Sequence, residues 1–269
     1  MMSDTSSDLS LVLEPRALTE GVFSLDVPAG WGQARGSFGG IVLGAVYRAI
    51  EHSEPDRDRH LRSISGEIAG PVVGGAAQIV VESVRRGSGV STWSGRLEQG
   101  DGPLCVVHAV LGRTRDIDRQ WSPAMEPAPS WRECAAMPPG LSMVPEFAKH
   151  FEFRPFGPLP FSGAAEAVTS GWIRPRTASR GIGTAELIAM ADAWWPAAFS
   201  IERAPRPIAT IAFTMQCLLG GRVLPADTPL LHRARAVASA QGFFVEMREL
   251  WTPSGELVAL NQQTFVWIR

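Results

Sequence analysis

The 269-residue chain has few cysteines, no block of like charges and no long apolar run. Its three cysteines, Cys105, Cys134 and Cys217, form no C-x-x-C pair, which argues against a disulfide framework or zinc knuckle and fits a reducing cytoplasm. The formal net charge is −2 without a basic tract, so nucleic acid and anionic membranes are not indicated as partners. No apolar stretch reaches membrane-spanning length, and the polar first ten residues do not resemble a signal peptide. These absences favour a soluble cytoplasmic protein that binds small molecules or forms a homo-oligomer.

Proline divides the chain into two halves. Nine of the 21 prolines lie between Trp121 and Gly163, and a segment so rich in proline reads as a connector on the surface. Each flank begins with strand-like sequence, turns helical and continues as strand-rich stretches. We therefore predict an N-terminal domain over 1–120, a connector over 121–150 and a C-terminal domain over 151–269. Strands are predicted over 61–69, 77–85, 90–98 and 104–112, and over 208–218, 230–240, 243–251 and 256–268.

One predicted helix in each half is apolar on every side. The first follows the turn G-S-F-G-G at 36–40 and reads I-V-L-G-A-V-Y-R-A-I. The second lies in the segment from Thr184 to Phe199, which reads T-A-E-L-I-A-M-A-D-A-W-W-P-A-A-F, with Thr184 as a plausible N-cap and Pro196 expected to end or bend the helix. A flat sheet would cover only one side of such a helix, so a strongly curved antiparallel sheet is predicted around each. The fold class is α+β.

Asp192 is the one carboxylate near the middle of the second helix. At helical spacing it shares a stripe with Ala185, Ile188, Ala189, Trp195 and Phe199, which predicts that it is buried. A buried carboxylate needs hydrogen bonds, a cation or a proton, and cations are scarce nearby in the sequence. An arranged polar site is therefore expected. The alternative is a structural acid satisfied by backbone or by an arginine such as Arg174.

Five motifs in order carry a resemblance to a known family. They are G-S-F-G-G at 36–40, W-I-R at 172–174, L-I-A-M-A-D-A-W-W-P at 187–196, A-T-I-A-F-T at 209–214 and L-W-T-P-S-G-E-L-V-A-L-N-Q-Q at 250–263. With these motifs the chain resembles the double-hotdog acyl-CoA thioesterases of the thioesterase II-like type over almost its whole length. The resemblance implies a double hotdog, in which two curved antiparallel sheets each wrap around a central apolar helix. It also implies hydrolysis of a fatty or related acyl-CoA without a cofactor.

The resemblance further implies a catalytic trio of Asp192, Thr210 and Gln263, which hold the attacking water. A carboxylate can act as general base while a hydroxyl and an amide orient the water. Strand parity leaves an alternative for Thr210, because it places Thr210 on the face opposite Phe213, where threonine is an ordinary strand residue. Gln263 could instead belong to an amide-rich edge strand that meets water.

Three further residues are candidates for substrate binding. The backbone at Gly39 and Gly40 is a candidate oxyanion donor, and the alternative is that these glycines only allow tight helix packing. Trp195 could line an acyl tunnel or simply fill the core.

Other activities find less support in the sequence. Hotdog hydratases need a histidine soon after the helical Asp, and none occurs in 193–200; His232 reads as an ordinary packed or surface residue. No ligand spacing indicates a metal, and no G-x-S-x-G elbow indicates a serine hydrolase. The family's acidic residue and histidine after the catalytic Thr are replaced by Ala212 and Gln216. A non-catalytic acyl-thioester binding or scaffold protein therefore stays open as the rival function.

Overall fold

The computed structural model describes residues 7–138, 140 and 144–268. Its helices are α1 (Leu9–Val12), α2 (Gly39–Ser53) and α3 (Thr184–Asp192), and short 3₁₀ turns span Trp131–Glu133, Glu146–His150 and Ala197–Ser200. The strands are β1 (Arg16–Thr19), β2 (Val22–Val27), β3 (Gly32–Gln33), β4 (Gly36–Ser37), β5 (Arg59–Ile68), β6 (Gly75–Arg86), β7 (Val90–Gln99), β8 (Gly102–Arg113), β9 (Phe151–Pro155), β10 (Val168–Pro175), β11 (Ile208–Cys217), β12 (Leu230–Ala240), β13 (Phe243–Trp251) and β14 (Leu257–Trp267). All eight strands predicted from the sequence occur, with ends that differ by two residues at most. None of the described helices is long and apolar enough to cross a membrane.

Twelve strands form one continuous antiparallel sheet in the order β1-β2-β6-β7-β8-β5-β11-β14-β13-β12-β10-β9. The strands of the N-terminal half meet those of the C-terminal half where β5 pairs with β11, from Glu67 opposite Ala212 to Ser63 opposite Gln216. The sheets of the two halves are therefore continuous across this pair of strands, which the sequence did not predict. An unpaired edge strand exposes N–H and C=O groups, and pairing β5 with β11 satisfies the backbone of both edges.

The two long helices pack against each other inside this sheet, with their chains antiparallel. A Cβ added to Gly40 would lie 2.9 Å from Ala189 Cα, and one added to Gly44 would lie 3.0 Å from the Ala185 carbonyl oxygen. The glycines thus allow a backbone approach that larger residues would prevent. Outside this contact, α2 packs on β6, β7 and β8, whereas α3 packs on β10, β13 and β14. The N-terminus of α2 consequently lies beside the C-terminus of α3.

Helix α3 ends at Asp192, four residues before Pro196, which the sequence predicts to end or bend this helix. Pro196 explains this end, because it has no N–H to donate to the Asp192 carbonyl and it disfavours helical geometry at Trp195. The chain turns at Ala193, whose N–H bonds to the Met190 carbonyl, and a 3₁₀ turn begins at Ala197. Asp192 is therefore at a helix terminus and not in the middle of a helix.

The proline-rich segment packs against the C-terminal strands through backbone carbonyls. Trp172 Nε1 donates to the Pro129 oxygen at 2.9 Å, and Arg233 Nη2 donates to the Glu126 and Pro127 oxygens at 2.9 Å each. Trp131 and its neighbours cover a second apolar cluster that contains Trp172. Within the described ranges, the only regular structure from 121 to 150 is the two 3₁₀ turns.

Candidate active site

The Asp192 carboxylate lies against the N-terminus of α2, with only 9% of the residue exposed. A Cβ added to Gly39 would lie 3.0 Å from Asp192 Oδ2, and the neighbouring Gly40 N–H acts to lower the pKa of the carboxyl. The first N–H groups of a helix have no partner within the helix and carry partial positive charge, so they favour a neighbouring anion. Antiparallel packing of the two helices thus brings Gly39, Gly40 and Asp192 together, as the sequence predicted for one site.

Burial raises the pKa of Asp192, while the positive charge of Arg248 and hydrogen bonds from Gln263 and Gly40 act to lower it. No cation among the described residues forms an ion pair with this carboxylate, because Arg248 Nε pairs with Glu246 Oε1 at 2.8 Å. The alternative partner, Arg174, bonds instead to Glu152 Oε2 at 2.8 Å. Asp192 is therefore held by hydrogen bonds and a nearby charge, and a carboxyl with a raised pKa is a stronger base once ionised.

Gln263 approaches Asp192 from the inward face of β14, where it is 1% exposed. Its Nε2 donates to Asn261 Oδ1 at 3.0 Å, and Asn261 Nδ2 donates in turn to the Thr214 carbonyl at 2.8 Å. The amide is thus oriented through Asn261 by the backbone of the neighbouring strand. Gln263 Oε1 is buried and accepts no hydrogen bond from the described residues. The edge-strand alternative was wrong, since β14 lies between β11 and β13.

Thr210 shares the inward face with Gln263 because of a bulge in β11. The register pairs Thr210 with Phe265 and then Ala212 with Thr264, so that Ile211 is the extra residue. Residues directly opposite in an antiparallel pair have side chains on the same face, and one inserted residue reverses the alternation. Strand parity, which placed Thr210 opposite Phe213, was therefore wrong. Within the described contacts no hydrogen bond joins Thr210 to Asp192 or Gln263.

Trp194 and Trp195 differ in their environment although they are neighbours. The Trp194 ring is 2% exposed, stacks on His232 at 5.0 Å, and donates from Nε1 to Thr169 Oγ1 at 2.8 Å. Trp195 is partly buried against the main core, and its buried Nε1 finds no acceptor among the described residues. Trp194 is thus a core residue, whereas Trp195 retains a free indole donor three positions after Asp192.

His232 is a buried residue, as one of its two sequence interpretations allowed. It is 0% exposed, and burial together with the charge of Arg248 lowers its pKa well below the usual value, which keeps the ring neutral. Neither ring nitrogen has a hydrogen-bond partner among the residues that the structure describes.

Sequence reasoning missed Glu246 and Arg248, which are both buried beneath the site. They lie on β13 at alternate positions with Phe244 and Leu250, all four on the inward face. Glu246 pairs with Gln263 and Arg248 with Asn261 across the β13–β14 ladder. The period-two pattern could have revealed them, because it places two charges on an otherwise apolar strand face.

The comparisons with known proteins agree with this architecture. The sequence matches the acyl-CoA thioesterase N-terminal domain family over residues 27–113 and the acyl-CoA thioesterase C-terminal domain family over residues 122–267. No curated protein matches it significantly in sequence.

Solved structures with the same fold cover almost the whole chain. A hot dog protein from Alicyclobacillus acidocaldarius aligns with a TM-score of 0.86 at 21% identity, covering 100% of this chain and 99% of its own. The acyl-CoA thioesterase II TesB2 of Mycobacterium marinum aligns with a TM-score of 0.77 at 19% identity, covering 97% and 98%. The tesB protein of Mycobacterium avium subsp. paratuberculosis aligns with a TM-score of 0.80 at 16% identity, covering 97% and 98%. At these identities the likeness establishes the hotdog fold.

The fold and the two matched domains define a thioester hydrolase. More specifically, the chain belongs to the acyl-CoA thioesterase family, since the C-terminal domain match alone covers more than half of its residues. The predicted family and enzyme class are therefore confirmed.

Proposed function

We propose that this protein hydrolyses a fatty or related acyl-CoA to the free acid and coenzyme A, using a water molecule that Asp192 activates. The observation that carries the proposal is the buried Asp192 carboxylate, which lacks an ion-pair partner among the described residues and lies against the Gly39 end of α2. A structural acid locked in an ion pair would be a poor base, because the paired cation favours its ionised form. Here the nearest guanidinium is paired with another acid.

The proposed architecture behind this activity is a double hotdog with the two sheets joined edge to edge. Each long helix packs on strands of its own half, α2 on β6 to β8 and α3 on β10, β13 and β14. We propose an N-terminal hotdog over 1–120, a connector over 121–150 and a C-terminal hotdog over 151–269. The site uses both halves, because Gly39 and Gly40 come from the first and Asp192 from the second.

In the proposed reaction the ionised Asp192 accepts a proton as the water oxygen attacks the thioester carbon. Gln263 Oε1, a buried acceptor without a partner among the described residues, suits the second hydrogen of that water. The Thr210 hydroxyl, on the same sheet face, would fix the direction of attack. Holding water in near-attack geometry can remove roughly 7–11 kcal/mol of barrier by analogy with intramolecular reactions.

The carbonyl oxygen gains negative charge as the carbon becomes tetrahedral. We assign the Gly39 N–H, in the first turn of α2, as its donor, because the Gly40 N–H is engaged by Asp192. The C–S bond then breaks, and the leaving thiolate can recover the proton that Asp192 accepted. The free Trp195 indole N–H lies on the same segment as Asp192 and would bind a polar atom of the thioester or its pantetheine arm.

The test is release of free thiol from acyl-CoA substrates of short, medium and long chains. We expect hydrolysis by the natural protein and a loss of about 10²–10⁴-fold in Asp192→Asn, the range typical of a lost general base. Circular dichroism and binding of acyl-CoA should be unchanged in that variant. Binding without thiol release by the natural protein would instead support the scaffold alternative, and water addition to an enoyl thioester would indicate a hydratase.

A further inference from the structure

The segment that carries Asp192 is attached at both ends to a buried ion pair on β13. Arg248 Nη1 donates to the Ala191 carbonyl at 2.9 Å, immediately before Asp192. Glu246 Oε2 accepts the Ala197 N–H at 2.6 Å, immediately after Pro196. The two side chains bond to each other, Arg248 Nε to Glu246 Oε1, at 2.8 Å. Residues 191–197 are thus held by one acid and one base that lie two positions apart on the same strand.

This pair is more deeply buried than stability alone would favour. Glu246 is 0% and Arg248 1% exposed, and replacing a buried ion pair by apolar residues is often neutral or stabilising. Stability alone therefore does not explain why both charges are buried here, and a second role is expected. Their bonds to the Ala191 carbonyl and the Ala197 N–H satisfy backbone groups that the early end of α3 leaves free.

We propose that Glu246 and Arg248 are positioning residues for hydrolysis, which hold the 191–197 segment on β13 and place a permanent positive charge near the Asp192 carboxylate. This inference rests on the proposed function of Asp192. It goes beyond that function by assigning two roles: orientation of the carboxylate toward Gly40 and Gln263, and control of the pH at which it is ionised.

The charges around Asp192 are few, so the effect of each can be separated. Arg248 and Glu246 come from β13, and the neutral His232 comes from β12. Strand β14 contributes the amides of Asn261 and Gln263, and α2 contributes backbone N–H groups. Arg248 cannot be deprotonated in a protein, whereas Glu246 offsets its charge. Removing only Glu246 should therefore strengthen the positive field at Asp192, and removing both charges should abolish it.

The experiment compares pH profiles of kcat/KM for acyl-CoA in three variants, following the loss of the thioester ultraviolet absorbance. The acidic limb of this profile is the fall in kcat/KM as Asp192 becomes protonated. In Glu246→Gln we expect it to move to lower pH, because the unopposed Arg248 charge favours the ionised carboxylate. In the double variant Glu246→Gln with Arg248→Gln we expect it to move to higher pH, by about one unit or more for a charge at this depth. The matched control is Glu152→Gln, which breaks the Arg174 ion pair outside the site and should leave the limb in place. The double variant leaves neither charge of this pair without its partner, so we expect it to fold.

Opposite shifts in the two β13 variants would support the inference, and equal or absent shifts would overturn it. A merely structural pair would change the amount of folded protein without moving the limb. The same carboxyl is also titrated by carbon NMR of labelled aspartate, with Asp192→Asn to assign the signal. If no acyl-CoA is hydrolysed at all, the proposed function fails, and the NMR titration alone decides whether Glu246 and Arg248 control Asp192.

Discussion

Replacing Asp192 by asparagine should change how stability depends on pH. Burial raises the pKa of this carboxyl above that of the unfolded chain. Between the unfolded and the folded pKa, the folded state therefore holds a proton that the unfolded state has lost, and stability falls as pH rises. The stabilisation that comes from the raised pKa of Asp192 is fully present below about pH 3.9, the ordinary pKa of aspartate. It disappears as the pH rises through the pKa of the folded state. Asparagine has almost the same shape and does not titrate.

The size of the effect follows from the burial and the hydrogen bonds of the carboxyl. Each unit by which folding raises the pKa corresponds to about 1.4 kcal/mol of unfolding free energy. Arg248, Gln263 and Gly40 oppose the effect of burial without cancelling it. We therefore expect the stability of Asp192→Asn relative to the natural protein to increase from acidic to neutral pH, by an amount set by how far the folded-state pKa exceeds the unfolded one.

The assay is urea denaturation of both proteins at several pH values from about 4 to 8, a range that starts near the ordinary aspartate pKa. A hydrogen bond lost in the variant changes its free energy of unfolding by the same amount at every pH. Titration of the Asp192 carboxyl instead makes the difference between the two proteins vary with pH. Glu246, whose pKa burial also raises, is present in both proteins and drops out of the comparison. Parallel curves, or a difference that shrinks toward neutral pH, would refute the assignment of Asp192 as a buried carboxyl that folding makes more basic.

Further predictions concern the neighbours of Asp192. Gly40→Ala should lower the free energy of unfolding by about 1–3 kcal/mol in urea denaturation, since its Cβ would lie 2.9 Å from Ala189 Cα on the facing helix; unchanged stability would show that the helices can separate. Thr210→Val should lower kcat about tenfold or more, whereas Thr210→Ser keeps the hydroxyl and most of the rate; equal rates would remove Thr210 from the site. Gln263→Met should lower kcat more than it raises KM, as expected for a group that orients water, and a change in KM alone would indicate a substrate contact.

The strands and the position of the Asp192 helix could be predicted from the sequence. Residues in strands alternate between two faces, and helical residues repeat about every 3.6 positions, so both patterns are visible in one chain. The apolar sequence around both helices also predicted their burial. Their contact with each other depends on Gly40 and Gly44, whose small size alone does not say which partner approaches.

Three features of the site could not be obtained from these patterns. The bulge at Ile211 reverses the face of Thr210, and an inserted residue leaves no mark in a strand of apolar residues and threonines. Pairing between β5 and β11 joins residues far apart in the chain. Arg248 lies near Asp192 because β13 packs against α3, where Arg248 bonds to the Ala191 carbonyl, so a search for cations near Asp192 in sequence could not find it.

The central claim is that a solvent water attacks the thioester carbon directly, with Asp192 as base. It is tested by a single turnover in water labelled with heavy oxygen, with protein in excess over acyl-CoA, followed by mass spectrometry of the released acid and of the protein. We predict one labelled oxygen in the acid of the first turnover and none in the Asp192 carboxyl. An unlabelled acid together with label in Asp192 would contradict the claim, because it would mean that the carboxylate itself attacked and formed a covalent acyl intermediate.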